Sequence, residues 1–203
     1  MTAGLIAGAV LLGVLFGLAA ALLRKPPNEA AISARAVELP VGFESLGVRM
    51  AESSNGWNLV HFTNFRCVHC RNAETELIPK MLESARMIGR LVIYCTDPQM
   101  GDGDWAERAM LDAAQNRPTE TRLLHAIFSR SIDLSWQTVK ERRPFLPDDS
   151  ASKVSAEAWR KELSDERRTQ QLAYCRQLAE SLQLPGVPSY LLIGPDRKGW
   201  VVP

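Results

Sequence analysis

Hydrophobic and polar positions divide the chain into three stretches. Residues 4–23, GLIAGAVLLGVLFGLAAALL, carry no charge over 20 positions and then meet Arg24 and Lys25. At about 1.5 Å per helical residue such a run crosses a hydrocarbon core of roughly 30 Å, so residues 1–25 are expected to form a transmembrane anchor. The run is longer than the apolar core of a cleaved signal peptide and has no basic leader, although Ala19 and Ala21 would suit a signal peptidase. Gly4 and Gly8, like Gly13 and Gly17, have the G-x-x-x-G spacing that lets membrane helices approach, a candidate homodimer surface. Residues 26–44 open on two prolines and hold no period, which reads as a tether.

From residue 45 the pattern is globular. LGVRMAE predicts a short strand, SSNG at 53–56 a turn, and WNLVHFTNF at 57–65 a buried strand rich in aromatic and β-branched residues. From Cys67 to about Gly89 the period turns helical, with Leu77, Ile78, Met81, Leu82 and Ala85 on one face. Pro79 is expected to kink this helix and Gly89 to stop it. RLVIYCTD at 90–97 predicts a second strand, parallel to the first across the helical crossover. Ala106, Ala109, Met110, Ala113 and Ala114 then share a helix face, as do Leu124, Ile127 and Phe128. His125, among them, reads as a half-buried packing residue. Residues 143–152 read as a loop. The run from about 155 to 184 is charged outside, with an apolar stripe through Trp159, Leu163 and Leu172 to Leu182. GVPSYLLIGPDRKGWVVP closes the chain as strand, turn, strand.

Composition narrows the function. The 203 residues are 46% hydrophobic and 23% charged with a net charge of +1, which suits one globular domain with an attachment. A near-neutral surface argues against nucleic acid as a partner, because phosphate binding needs a basic one. Arg24 and Lys25 favour a cytoplasmic location for the residues after the span, but two charges are a weak bias.

Cys67 and Cys70 form a C-x-x-C directly after a predicted strand. A zinc ribbon would need a second knuckle, whereas Cys95 and Cys175 stand alone, and covalent haem would need histidine where Arg71 stands. A structural disulfide across two residues closes too small a loop to stabilise much. Redox chemistry remains. Cys67 at the helix N-cap meets free backbone N–H groups, while His69, Arg66 and Arg71 add positive charge, and each favours a thiolate. Cys70, one turn in, is expected to be buried and to act as the resolving thiol. Cys95 and Cys175 are a candidate structural disulfide between a strand and the last helix.

FRCVHC after a strand, a helical insertion, and GVPSY leading into a terminal hairpin together resemble the DsbA-like thiol–disulfide oxidoreductases of the thioredoxin superfamily. The resemblance covers residues 45–203 and implies an α/β thioredoxin-like fold with a helical insertion at about 101–183, here preceded by one N-terminal transmembrane helix. It assigns catalysis to Cys67, Cys70 and His69, a cis peptide beside the cysteines to Pro188, and substrate contact to the Val187 backbone. Where relatives carry a buried acid six residues before the first cysteine, this chain has His61, a candidate proton relay near neutral pH. Val68 stands where well-known members have proline. The family's closing helix has no counterpart before Pro203, so one sheet face is expected to be open or covered by the tether.

The expectation is a single-pass protein of a bacterial inner membrane with its catalytic domain in the periplasm, introducing disulfides into exported proteins. Disulfides persist outside the reducing cytosol, which favours that side of the membrane. No organic cofactor and no metal is expected, since the redox-active disulfide carries the electrons. The partners would be protein thiol substrates and a membrane redox protein that recharges the pair. Three alternatives stay open: a reductase or isomerase kept reduced by a membrane partner, a Cu(I) module using Cys67, Cys70 and His69, and a scaffold without redox turnover.

Overall fold

The computed structural model describes residues 35–84, 88–96, 104–142 and 155–202. The apolar run at 4–23, Arg24, Lys25, Ala85 and the expected loop at 143–152 lie outside them. No helix among the described residues is long and apolar enough to cross a membrane.

Six strands form one mixed sheet: β1 (Arg35–Glu38), β2 (Val48–Ala51), β3 (Asn58–Thr63), β4 (Gly89–Tyr94), β5 (Ser189–Ile193) and β6 (Lys198–Val202). Their order is β1-β6-β5-β3-β4-β2, with β3 and β4 parallel and the other pairs antiparallel. β3 lies between two neighbours and is buried on both faces, which is why it reads as an almost unbroken apolar run. Its residues still alternate. Val60 and Phe62 pack with Leu178 and Leu182 on one side, and Leu59 packs with Ala73, Ile78 and Tyr190 on the other.

The helix after β3 runs in three sections: α1 (Val68–Asn72), a wider π turn (Ala73–Leu77) and α2 (Ile78–Ser84). Pro79 has no N–H, and its ring would crowd the Thr75 carbonyl in a regular α-helix. The chain widens just before the proline, with the Ile78 N–H donating to the Ala73 carbonyl, and continues past it. Gly89 does not stop this helix. It is the first residue of β4, where a side chain would meet Asn58 Oδ1 and the Ser53 backbone.

Between β4 and β5 come α3 (Trp105–Asn116), α4 (Thr121–Arg130), α5 (Trp136–Arg142), α6 (Ala156–Leu163) and α7 (Glu166–Ser181). The first four gather around Ala106, Ala109, Met110, Phe128, Val139 and Leu163, all without exposed surface, and cover Val48, Met50, Val92 and Tyr94 of the sheet. The single run expected over 155–184 is divided. Ser155 Oγ caps α6 by accepting the Ala158 N–H at 3.1 Å, and Asp165 Oδ1 caps α7 by accepting the Arg167 N–H at 2.9 Å. Each cap contributes about 1 kcal/mol.

The stretch read as a tether is partly structured. β1 pairs with β6 along Arg35–Glu38, and a 3₁₀ turn (Phe43–Leu46) buries Phe43 under α7. Neither element is long enough to show a period.

Candidate active site

Cys67 ends the β3–α1 loop in an extended conformation and caps the helix. Its Sγ accepts the Cys70 N–H at 3.2 Å and donates to the Val187 carbonyl at 3.5 Å. The Val187–Pro188 peptide is cis. The structure therefore brings together Cys67, Cys70, Val187 and Pro188 from opposite ends of the globular domain. His69 and Val68 point outward and are exposed. All four cysteines are free thiols.

Cys70 is only 1% exposed. Burial pushes its thiol up to about 12, the Cys67 hydrogen bond adds to this, and the Asn64 backbone and Thr63 side chain oppose it. One cysteine is half-buried at the helix N-terminus and the other is hidden behind it. That asymmetry is what an exchange pair requires.

Beneath the helix lies a buried polar cluster built on Glu74, four residues after Cys70. Its side chain is 6% exposed. Oε1 lies 2.7 Å from His61 Nδ1 and also pairs with Arg90 Nη2, while Oε2 lies 2.9 Å from His125 Nε2. His125 Nδ1 in turn meets the Tyr94 hydroxyl at 2.8 Å. Burial alone would raise the Glu74 carboxyl, but the hydrogen bonds from His125 and His61 and the charge of Arg90 outweigh it and hold it well below the usual carboxylate range. Burial lowers both histidines, against the pull of Glu74. His125 is thus a member of this cluster, not the half-buried packing residue its apolar neighbours suggest.

The loop that presents Cys67 is held from the insertion. Glu107 on α3 is fully buried and accepts the Phe65 N–H at 3.1 Å, and the Phe65 ring packs on Tyr94, His125 and Phe128. Burial raises the Glu107 carboxyl to about 7, with the Phe65 N–H opposing. Sequence reading missed Glu74, Arg90, Tyr190 and Glu107. Glu74 alone had a signal, its i+4 spacing from Cys70.

Cys95 and Cys175 are brought side by side in the core. Cys95 lies just past the end of β4, and its Sγ is 3.7 Å from the Cys175 carbonyl, while Cys175 Sγ donates to the Leu46 carbonyl at 3.3 Å. Burial raises both thiols, that of Cys175 to about 12. Among the described residues no group of three His, Cys, Asp or Glu side chains is arranged to hold a metal ion. The larger cavity, about 470 Å³ between α3, α7 and the Phe43–Leu46 turn, touches none of the cysteines.

No family model and no curated protein matches the chain. Solved structures do match. BdbD from Bacillus subtilis, in its oxidised form, superposes with a TM-score of 0.62 at 11% identity, over 79% of this chain and 86% of that one. A periplasmic thioredoxin-like protein from Salmonella enterica serovar Typhimurium gives 0.58 at 15% identity, over 86% and 83%. The catalytic domain of Proteus mirabilis ScsC gives 0.58 at 16%, over 89% and 85%. The fold is the one these structures share, thioredoxin-like with a helical insertion. Within such a fold the C-x-x-C at a helix N-terminus, the facing cis-proline loop and the helical insertion all fall where the sequence resemblance puts them.

Proposed function

We propose that the chain is a protein thiol–disulfide oxidoreductase that introduces disulfides into exported proteins, tethered to a membrane by residues 4–23. One observation carries the reading: Cys67 Sγ sits between the Cys70 N–H and the Val187 carbonyl beside cis-Pro188, with Cys70 buried behind it. In the oxidised pair, a substrate thiolate attacks Cys67 Sγ, the bond to Cys70 breaks, and Cys70 leaves and takes a proton. A second substrate thiolate attacks the substrate sulfur of the mixed disulfide and releases Cys67. The Val187 backbone aligns the substrate chain, and His69 on the first turn supports the departing Cys67 sulfur. His61 serves the buried thiol as proton partner. Recharging falls to a membrane redox partner, and a periplasmic location provides the oxidising surroundings in which the product persists.

The test is the reduction potential of the full chain in detergent, equilibrated in glutathione buffers and read by alkylation. A potential well above the glutathione poise supports disulfide donation, one well below it reverses the direction of flow, and no reversible transition rejects redox turnover. Cys67→Ser is expected to abolish exchange with a thiol peptide.

A further inference from the structure

Arg122, Ala126 and Arg130 follow one another at four-residue spacing along α4, so they share one face of the helix. The two arginines are about 12 Å apart along the axis, with the small alanine between them. This face borders a cleft of about 320 Å³, whose other walls come from β2, from β4 through Arg90, and from the π turn after α1 through Glu74 and Thr75. Such a volume suits a small molecule. None of the four cysteines lines the cleft.

The charge of the cleft is out of balance. Glu74 is the one acid among the described residues that line it, and its carboxylate already pairs with Arg90 and with His125 Nε2. Glu74 therefore offsets Arg90 and nothing more. Arg122 donates from Nε to the Met50 carbonyl at 2.6 Å, which ties its guanidinium to β2 and leaves Nη1 and Nη2 without a partner among the described residues. Arg130 is exposed in the last turn of α4 and forms no hydrogen bond or ion pair with a described residue. The third guanidinium is buried. Arg90 is 9% exposed, and its Nε has no hydrogen-bond partner among the described residues. A buried donor in that state calls for an acceptor from outside the protein.

We propose that the cleft between α4, β2 and β4 is a binding site for a small polyanion, a molecule carrying phosphate or carboxylate groups, held between Arg122 and Arg130. A guanidinium presents parallel N–H groups that match the two oxygens of either group, so the residue type fits the ligand chemistry. Arg122 is the pre-organised end of the site, because its bond to the Met50 carbonyl fixes the plane of the guanidinium while the two outer nitrogens stay available. Arg130 supplies the second contact two turns along the same helix. Ala126 leaves room for the body of the ligand between them. A ligand oxygen that reaches the inner end of the cleft gives Arg90 Nε the acceptor it lacks. The site is separate from the oxidoreductase reading and stands or falls without it.

Isothermal titration of the full chain in detergent with citrate and with pyrophosphate, at about physiological chloride to screen non-specific attraction, tests this. At least one of the two is expected to bind one-to-one with a dissociation constant of about 1 mM or tighter. Binding of citrate alone assigns a carboxylate ligand, and binding of pyrophosphate alone a phosphate one; either supports the site. Arg122→Gln and Arg130→Gln are each expected to weaken binding about tenfold, the share of one charged hydrogen-bonding group. Thermal melts of the ligand-free variants check that the fold is kept. Arg176→Gln is the control, since it removes an exposed arginine on α7 that pairs with Glu180, and it should bind as the unmodified protein does. No saturable binding of either anion overturns the proposal. So does unmodified affinity in the Arg122→Gln, Arg130→Gln double variant, which would put the anion elsewhere, and so does an equal loss in Arg176→Gln, which would make the attraction a property of the whole surface.

Discussion

Asp112 and Glu74 are both buried beside cations, and they are buried differently. Asp112, in the helical insertion, is held by guanidinium groups: Arg168 at 2.7 Å and Arg117 at 3.0 Å, with the Trp159 indole N–H at 3.2 Å and Arg117 also paired to Glu120. The planar guanidinium groups meet both carboxylate oxygens, and the cluster joins α3, α6 and α7. Glu74, under the cysteines, has one guanidinium and two imidazoles. Burial lowers both imidazoles against the pull of the carboxylate, so the guanidinium of Arg90 is the firm positive charge beside it. The same problem, burying a negative charge, is solved with guanidinium groups in one region and with one guanidinium and two imidazoles in the other. Glu107 adds another solution, a backbone N–H from Phe65 on one oxygen and a carboxyl raised by burial to about 7.

Breaking the structural cluster should give the largest effect. Asp112→Ala leaves Arg168 without its carboxylate partner and is expected to cost about 3–5 kcal/mol in urea unfolding, while exchange with a thiol peptide keeps its pH profile. A moved profile would show that the two clusters are coupled. Glu107→Gln comes next. A carboxyl raised in the folded state binds its proton more tightly there, so wild-type stability should fall as pH rises from about 4.5 to about 7, by roughly 3 kcal/mol across that window. The glutamine variant keeps an acceptor for the Phe65 N–H and should lose that slope. An identical slope in both proteins would mean that Glu107 is ionised in the fold. Tyr94→Phe sharpens the contrast most gently. It removes the hydroxyl that meets His125 Nδ1 and should cost about 1–2 kcal/mol in thermal unfolding. An unchanged melting temperature would mean that the hydroxyl adds nothing to the Glu74 cluster.

Much of the globular domain was legible in the letters because its elements carry their own periods. β3, β4 and the β5–β6 hairpin appear where aromatic and β-branched runs predict them, and the helix faces built on Ala106 and Phe128 are the ones buried. β1 was not legible: four residues with only Val37 partly buried give no alternation, and their pairing with β6 is decided by the partner strand. Gly89 misled because a glycine after a helical period reads as a cap, whereas its reason is the close approach of Asn58 and Ser53. His125 misled because a helix among leucines gives no hint of a carboxylate arriving from another helix.

The sequence by itself determined the reactive pair and its local environment. A C-x-x-C entering a helix puts one sulfur at the N-terminal N–H groups and the other one turn inside, a consequence of backbone geometry that needs no distant contact. Tertiary structure alone decided what stands behind that pair. It set Val187 against Cys67, and it converged β3, β4 and α4 on Glu74. The residues of that cluster are scattered between positions 61 and 125. No local period records such a meeting, because it arises from how layers pack and from the need of a buried charge to find its partners.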